Sequence, residues 1–331
     1  MAPPTMSASP AESLRTRSAT PRTQCARVAE RLDSWTLVRR VAEGAFSRVY
    51  QASAASADTA LAPAYAVKRL KPELESDATA IQFLRREARV GSSVHHSRLA
   101  PVLAASVERP PYYLVMPWLA GSTLESLLAR RLLNASSSQR SGWRRPTTES
   151  PLQTQLSLVH ALWFARQIAE ALSALDAAGW THSDVKPANV MISPQGHATL
   201  LDLGLARRPA DEDHSIDRAL VGTPAYMAPE LFVSTVRPDI RSDIFSLGAL
   251  LYEALTGRKA VQWPGVTPAP AMPGRRLSPD LKLLAQVAPP AVAQLVQQML
   301  AGEPLRRPQK PAELVDALHA LEIEYFVEGI G

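Results

Sequence analysis

Hydrophobic and polar positions alternate in the first third of the chain, as they do in half-buried β-strands. The segments with this pattern are residues 35–38, 47–52, 65–70, 102–107 and 112–116. Between residues 77 and 94 the apolar positions instead follow a helical period, with Ile81, Leu84 and Ala88 on one face. The pattern predicts a small lobe with a five-stranded antiparallel sheet and one helix.

The second part of the chain has the periodicity of helices rather than strands. Gly179 and Gly257 follow two of the periodic segments and are suited to end a helix in the left-handed conformation. The predicted helices are residues 124–133, 158–178, 242–257, 290–301 and 311–323. We therefore predict an α+β fold with two lobes, the first rich in strands and the second mostly helical.

Composition suggests where the folded part of the chain begins and ends. The first residues are rich in Ser, Thr, Pro and Arg without any sustained period, which is typical of disorder. The predicted division is a disordered basic tail at 1–32, a folded domain at 33–325 and a C-terminal tail at 326–331. Within the domain we predict an N-lobe at 33–116, a hinge at 117–121, a C-lobe at 122–325 and a flexible insertion at 134–156.

The net charge of +5 is distributed unevenly along the chain. Residues 1–31 carry five Arg against two Glu, and residues 130–150 carry five Arg against one Glu, so the remainder is slightly acidic. The basic charge thus belongs to the tail and the insertion, and we expect no DNA or RNA partner. The single cysteine, Cys25, excludes an intramolecular disulfide. Without an apolar run of about 20 residues or a secretory signal, we expect a cytoplasmic protein with no membrane span.

The segment His182-Ser-Asp184-Val-Lys186-Pro-Ala-Asn189 follows the long predicted helix and resembles the catalytic loop of protein kinases, which implies a task in phosphoryl transfer for three of its polar groups. Asp184 can orient a hydroxyl and accept its proton, Lys186 can neutralise charge on the transferred phosphoryl group, and Asn189 can hold Mg²⁺. Thirteen residues later comes Asp202-Leu-Gly204, whose carboxylate is a suitable second Mg²⁺ ligand. This Asp–Lys–Asn–Asp set resembles the catalytic loop and the D-F-G element of protein kinases.

Two elements of the N-lobe are similar to that family as well. Ala66-Val-Lys68 on a predicted strand resembles the element whose lysine contacts ATP phosphates, and Glu87 on the next helix matches its partner. Residues 42–49 resemble the Gly-rich loop, with Gly44 alone of the three glycines retained. By this resemblance the ATP site comprises Val41, Ala42, Glu43, Gly44, Ala45, Phe46, Ser47, Val49, Ala66, Lys68, Met116, Trp118, Leu119 and Met191.

The resemblance covers residues 35–325 and is closest to the eukaryotic-like serine/threonine protein kinases of bacteria. Residues 222–230 are similar to the family's G-T-x-x-Y-M-A-P-E ending of the activation segment. The resemblance implies that Thr223 hydrogen-bonds near Asp184 and Lys186, that Glu230 pairs with Arg307, and that Asp243 steadies the catalytic loop. It implies an enzyme that transfers the γ-phosphoryl group of ATP to serine or threonine of a protein substrate with Mg²⁺, in signal transduction.

Two positions depart from the family pattern. Ser183 stands where most members have an arginine that binds a phosphorylated activation-loop residue, so we predict little dependence of activity on phosphorylation at Ser215 or Thr223. Gly91 stands where a larger apolar residue is usual, between Leu203 and Val102. We hypothesise from this glycine that the Lys68–Glu87 pair is loosely held.

Two other functions remain open at this point. A pseudokinase that serves as a scaffold would fit the single-glycine loop and Gly91, although Lys68, Asp184 and Asp202 are all retained. A phosphotransferase for small molecules shares the same acidic and amide groups, but Lys186-Pro187 and the Ala228-Pro-Glu230 ending favour a protein substrate. The sequence does not indicate the physiological substrate, the activating signal or the oligomeric state.

Overall fold

The computed structural model describes residues 27–56, 62–138, 156–208, 223–232, 239–261 and 279–328. Its strands are β1 (Arg27–Leu32), β2 (Trp35–Glu43), β3 (Ser47–Ala54), β4 (Tyr65–Leu70), β5 (Ala104–Ser106), β6 (Tyr113–Pro117), β7 (Ser122–Thr123), β8 (Val190–Ile192) and β9 (Ala198–Leu200). Its α-helices are α1 (Ala78–Ser93), α2 (Leu124–Ser138), α3 (Leu158–Ala177), α4 (Ile240–Thr256), α5 (Leu281–Val287), α6 (Pro290–Met299) and α7 (Pro311–Glu328).

The N-lobe is an antiparallel sheet with the strand order β1-β2-β3-β4-β6-β5. Val49 on β3 lies opposite Lys68 on β4, and Ala66 on β4 lies opposite Met116 on β6. Paired residues of an antiparallel ladder point to the same face, and so do residues two apart on one strand. Val49, Ala66, Lys68 and Met116 therefore share one face of the sheet.

The strand β1 corrects two predictions, because the sheet has six strands and Arg27–Leu32 is not part of a disordered tail. It pairs with β2 across a tight turn at Asp33, whose φ of 48° is left-handed. Leu32 is buried against Leu37. Backbone pairing at a sheet edge needs no alternating sequence, which explains why the pattern did not indicate this strand. Residues 1–26 lie outside the described part of the chain.

Helix α1 confirms the amphipathic segment that the sequence predicts before the second lobe. The Asp77 side chain caps it by accepting hydrogen bonds from the amides of Thr79 and Ala80. Leu84 and Ala88 pack against the sheet in one apolar cluster. Glu87 is buried on the same helix, and a carboxylate in that position needs a cationic partner.

The C-lobe surrounds helix α4, which is buried on nearly all sides. Helices α3 and α6 pack against it, and the apolar cluster continues to α7. A small sheet, β7-β8-β9, lies where the two lobes join and carries Met191 directly after the catalytic loop. The sequence pattern did not predict this sheet or the seven-residue helix α5, since such short elements show no measurable periodicity.

The predicted start of the insertion at residue 134 is wrong. Helix α2 continues through Ser138, because residues 134–138 contain no Gly or Pro and the Asn and Ser residues there only lower helix propensity. Residues 139–155 lie outside the described part of the chain. Among the described residues, no helix combines the length and the apolar character that are needed to cross a bilayer.

Candidate active site

Two side chains of the catalytic loop converge on the carboxylate of Asp184. Lys186 Nζ donates to Asp184 Oδ2 at 2.6 Å, and Asn189 Nδ2 donates to the same oxygen at 2.9 Å. Asp184 is only 9% exposed. Burial raises the pKa of Asp184, and the Lys186 ammonium opposes that rise. The result is a fixed carboxylate beside a cation, an arrangement that can orient a hydroxyl and take its proton.

A buried acid on α4 holds this loop in place. Asp243 accepts hydrogen bonds from the backbone amides of His182 at 2.6 Å and Ser183 at 2.8 Å. Burial raises the pKa of Asp243 to about 6, while His182 and the two amides oppose the rise. The His182 Nδ1 accepts from the Asp184 amide, and its Nε2 lies 3.0 Å from the Leu201 carbonyl. The predicted structural role of Asp243 is confirmed.

Lys68 contacts two carboxylates, one from each lobe. Its Nζ lies 2.6 Å from Glu87 Oε2 on helix α1 and 2.9 Å from Asp202 Oδ1. Burial lowers the pKa of Lys68, but the carboxylates of Asp202 and Glu87 outweigh it and keep the amine protonated. Burial raises the pKa of Glu87 to about 7 against the pull of Lys68. The predicted Lys68–Glu87 contact is confirmed, and the partly exposed Asp202 completes a triad around Lys68.

Two residues at this site have left-handed backbones, Ser183 with a φ of 67° and Asp202 with a φ of 63°. Such conformations in non-glycine residues cost on the order of 1–3 kcal/mol each. The Ser183 amide is held by Asp243, and the Asp202 carboxylate is held by Lys68 and by the Gly204 amide at 3.4 Å. Backbone strain of this kind is typical of functional sites, and here the two strained residues are the one that precedes Asp184 and the one that contacts Lys68.

Asp202 and Asn189 offer the kind of oxygen atoms that Mg²⁺ prefers. Burial raises the pKa of Asp202, but Lys68 outweighs it and holds the pKa below its usual range, so the carboxylate is ionised. The two described side-chain hydrogen bonds of Asn189 are donated by Nδ2, to the carbonyl and carboxylate of Asp184, which leaves Oδ1 for a cation. The described residues contain no cluster of three or more His, Cys, Asp or Glu around a common point. A Mg²⁺ site completed by substrate phosphates and water does not require one.

The residues predicted to surround adenine come from both lobes. Ala66 and Met116 face each other across β4 and β6 on the Lys68 face of the sheet, and Met191 lies on β8. At the hinge, the Trp118 amide donates to the Ala64 carbonyl at 2.9 Å and is therefore engaged within the chain. The hinge amide predicted to meet the adenine edge is that of Leu119, one residue later.

The loop predicted to cover the phosphates is a tight connection between β2 and β3, residues 42–47. The Gly44 amide donates to the Ser47 carbonyl at 2.8 Å, and the Lys71 amide donates to the Phe46 carbonyl at 3.0 Å. The exposed residues of this loop are Ala42, Glu43, Gly44 and Ala45. Their backbone is therefore accessible to a ligand. Two contacts of this loop were not foreseen from sequence. Glu43 pairs with basic side chains, and Phe46 packs on Phe83 of helix α1.

The structure contradicts the hypothesis of a loosely held Lys68–Glu87 pair. Gly91 is buried on α1, and its carbonyl accepts from the Val102 amide at 2.9 Å. A Cβ on residue 91 would lie 2.6 Å from Val102 Cγ2. The glycine therefore lets α1 approach the neighbouring backbone closely. It leaves no gap, and the Lys68–Glu87 contact is short.

The end of the activation segment is anchored by a buried ion pair. Arg307 donates to both oxygens of Glu230, through Nη1 at 2.6 Å and Nη2 at 2.7 Å, which confirms the predicted partner. Ser246 donates to the Tyr226 carbonyl at 2.8 Å, and the Tyr226 hydroxyl bonds Glu253 on α4. Thr223 begins this described segment, and its contact with Asp184 and Lys186 stays a prediction. Ser215 lies outside the described residues.

The sequence from 35 to 318 matches the family model for protein tyrosine and serine/threonine kinase. The chain belongs to this family. The bilobal α+β fold predicted from the sequence is confirmed.

Bacterial protein kinases are among the curated relatives of this kinase. It is 30% identical over 301 residues to serine/threonine-protein kinase PknA of Mycobacterium tuberculosis, covering 87% of this chain and 61% of that protein. It is 26% identical over 316 residues to serine/threonine-protein kinase PknD of Chlamydia pneumoniae, covering 87% of this chain and 31% of that protein. The chain thus spans about three fifths of the length of the first relative and less than a third of the second. Cytoplasmic residence and the absence of a nucleic-acid partner stay predictions.

Proposed function

We propose that this kinase is an active, Mg²⁺-dependent serine/threonine kinase that phosphorylates proteins. The observation that carries the proposal is the convergence of two preassembled groups, Lys68 with Glu87 and Asp202, and Asp184 with Lys186 and Asn189. Phosphoryl transfer depends on positioning and charge stabilisation more than on covalent chemistry. The six side chains of these two groups are held by direct contacts within each group.

Each residue has a separable task in this proposal. Lys68, held by Glu87, meets the α- and β-phosphates of ATP. Asp184 receives the proton of the attacking hydroxyl, while Lys186 offsets the negative charge that develops on the transferred phosphoryl oxygens. Asn189 Oδ1 and Asp202 hold Mg²⁺, which neutralises phosphate charge when bound.

Support for serine or threonine over tyrosine comes from sequence and from relatives. Lys186-Pro187 after the catalytic acid and the segment from Thr223 to Glu230 resemble the serine/threonine type. The names of the relatives in mycobacteria and chlamydiae specify serine/threonine kinases. No described feature favours the scaffold alternative, since Lys68 contacts both Glu87 and Asp202.

The deciding experiment incubates the protein with Mg²⁺, γ-labelled ATP and a generic protein substrate. We expect label on Ser and Thr with the wild type, and a loss of about 10³-fold or more with Asp184→Asn, because the proton acceptor is removed. Asp316→Asn, an exposed acid on α7, is the matched control and should label like the wild type. Equal labelling by Asp184→Asn would refute the assignment of the base, and label on small hydroxyl compounds alone would favour a small-molecule phosphotransferase.

A further inference from the structure

The carboxylate of Glu43 collects three cations at the edge of the phosphate-binding loop. Arg40 Nη1 lies 2.7 Å from Glu43 Oε2, while Lys71 Nζ and Arg48 Nε lie 3.3 Å and 3.4 Å from Oε1. These cations come from β2, from β3 and from the residue after β4. Glu43 therefore ties the loop to its own strand β2, to the adjacent strand β3 and to the end of β4.

The tip of the same loop is held on its other side by an aromatic contact. The Phe46 and Phe83 rings have centroids 5.1 Å apart at an angle of 50°, a tilted geometry that aromatic pairs favour. Phe83 is buried on α1, one turn before Glu87. A Cβ on Gly204 would lie 3.4 Å from the Phe83 carbonyl and 3.7 Å from Glu87 Oε2. The helical turn that receives Phe46 thus also touches the segment that carries Asp202.

Glycines in such a loop allow the backbone to approach phosphate but do not hold it in place. This loop has one glycine, Gly44, and side chains on both sides of it that contact the rest of the N-lobe. Ala42 and Ser47 are small enough for close approach, and both lie at the base of the loop. The contacts of Glu43 and Phe46, rather than glycine flexibility, therefore fix the position of this loop.

We propose that Glu43 and Phe46 are positioning residues that hold the phosphate-binding loop over ATP and connect it to helix α1. The proposal rests on the proposed function, because it assigns the loop to ATP. Neither residue touches the reacting atoms. Phe46 acts by fixing the loop against the turn of α1 that carries Phe83. Glu43 acts by offsetting part of the repulsion among Arg40, Arg48 and Lys71 at the loop, and Glu73 also contacts Arg48.

The test compares Phe46→Ala, Phe83→Leu, the double variant and Glu43→Gln. We expect Phe46→Ala to raise the Kd for Mg²⁺-ATP by about 3- to 10-fold, the range of a lost aromatic pair. The double variant should be no weaker than the more affected single variant, because the contact is lost only once. Phe326→Ala, an exposed phenylalanine on α7, and Glu108→Gln, an exposed N-lobe acid, are the matched controls and should leave the Kd unchanged.

A second measurement does not depend on ATP. Hydrogen exchange of the amides at 43–47 in the ligand-free protein should be faster in Phe46→Ala and in Glu43→Gln than in the wild type. Unchanged exchange together with an unchanged Kd in both variants would overturn the proposal while leaving kinase activity intact. Additive effects of Phe46→Ala and Phe83→Leu would refute the coupling to α1. A wild type with normal loop protection that neither binds ATP nor transfers phosphate would instead refute the proposed function.

Discussion

Gly91 and Val102 are in direct backbone contact, with the Val102 amide donating to the Gly91 carbonyl at 2.9 Å. A Cβ at position 91 would lie 2.6 Å from Val102 Cγ2 and 3.3 Å from both the Cβ and the backbone nitrogen of Val102. Real Cβ atoms do not approach a neighbour that closely, so one of the two segments would have to move. Because Glu87 lies one turn earlier on the same helix, this contact also sets the distance between Glu87 and Lys68.

The first prediction concerns Gly91→Ala. On an isolated helix this change would be stabilising, since Ala has the higher helix propensity. Here we expect a loss of about 1–3 kcal/mol in the free energy of unfolding, the usual cost of overpacking, together with lower activity as α1 moves. Urea unfolding and initial rates measure the two effects.

A matched control for this prediction is Gly302→Ala, where nothing lies within 4 Å of the added Cβ. That variant should keep the stability and activity of the wild type. Val102→Ala in the Gly91→Ala background removes Cγ2 and should recover part of the lost activity. If Gly91→Ala proved as stable and active as the wild type, the close contact would not constrain helix α1.

The second prediction concerns the pH dependence of kcat/KM. A proton acceptor must be deprotonated, so the rate falls as the pH falls through the pKa of Asp184. Burial raises that pKa, and Lys186 at 2.6 Å opposes the rise. Lys186→Met removes the opposing charge, so the acidic limb should move to higher pH and the maximal rate should fall by about 10²-fold or more.

Lys186→Arg keeps a cation at that position and serves as the control for this pH profile. Its acidic limb should stay near that of the wild type even if the rate decreases. The profile is measured from initial rates at saturating Mg²⁺ and limiting ATP. An acidic limb that did not shift in Lys186→Met would show that the limb does not report the protonation of Asp184.

The third prediction concerns the buried pair of Glu230 and Arg307. The Arg307 side chain has no exposed surface and also donates to the backbone carbonyls of Ala301 and Arg241. Removing one member of a buried pair leaves the other charge without compensation, which costs about 3–5 kcal/mol. Arg307→Met should therefore lower Tm strongly, whereas Arg306→Met, at the exposed neighbouring position, should not. Equal Tm values for the two variants would contradict a stabilising role of the pair.

The contacts within the loop around Asp184 could be predicted because its residues lie in one short run of sequence. The residues from His182 to Asn189 and from Asp202 to Gly204 keep their spacing in any fold that contains them, and their chemical roles stay predictions from motif and order. The Lys68–Glu87 contact was predictable because the protein kinase family pairs a strand lysine with a glutamate on the following helix.

The missed features depend instead on contacts that leave no pattern in the sequence. Strand β1 has a backbone partner but hardly any apolar pattern, so only the folded sheet shows it. Gly91 leads to the hypothesis of a loosely held Lys68–Glu87 pair because the sequence does not show how closely Val102 approaches the glycine. The contacts of Glu43 and Phe46 join residues that are 28 and 37 positions apart, Lys71 and Phe83, and no local pattern encodes them.

The last prediction concerns control by phosphorylation. Ser183 precedes Asp184, and its hydroxyl lies 3.3 Å from that of Thr181. A hydroxyl cannot form the bidentate, charge-assisted pair by which an arginine binds phosphate. We therefore expect Ser215→Ala to retain kcat/KM within about threefold of the wild type, which is under 1 kcal/mol in the barrier. Phosphatase treatment of the wild type should have equally little effect on initial rates.

Restoring the arginine at position 183 tests the same prediction from the opposite direction. Ser183→Arg introduces a guanidinium at the position where a phosphate on the activation segment can be bound, and it should make activity fall after phosphatase treatment. Ser92→Ala, an exposed position on α1, is the control for Ser215→Ala. Loss of activity in Ser215→Ala with an unchanged Tm would mean that another cation replaces the missing arginine and that phosphorylation does switch this kinase.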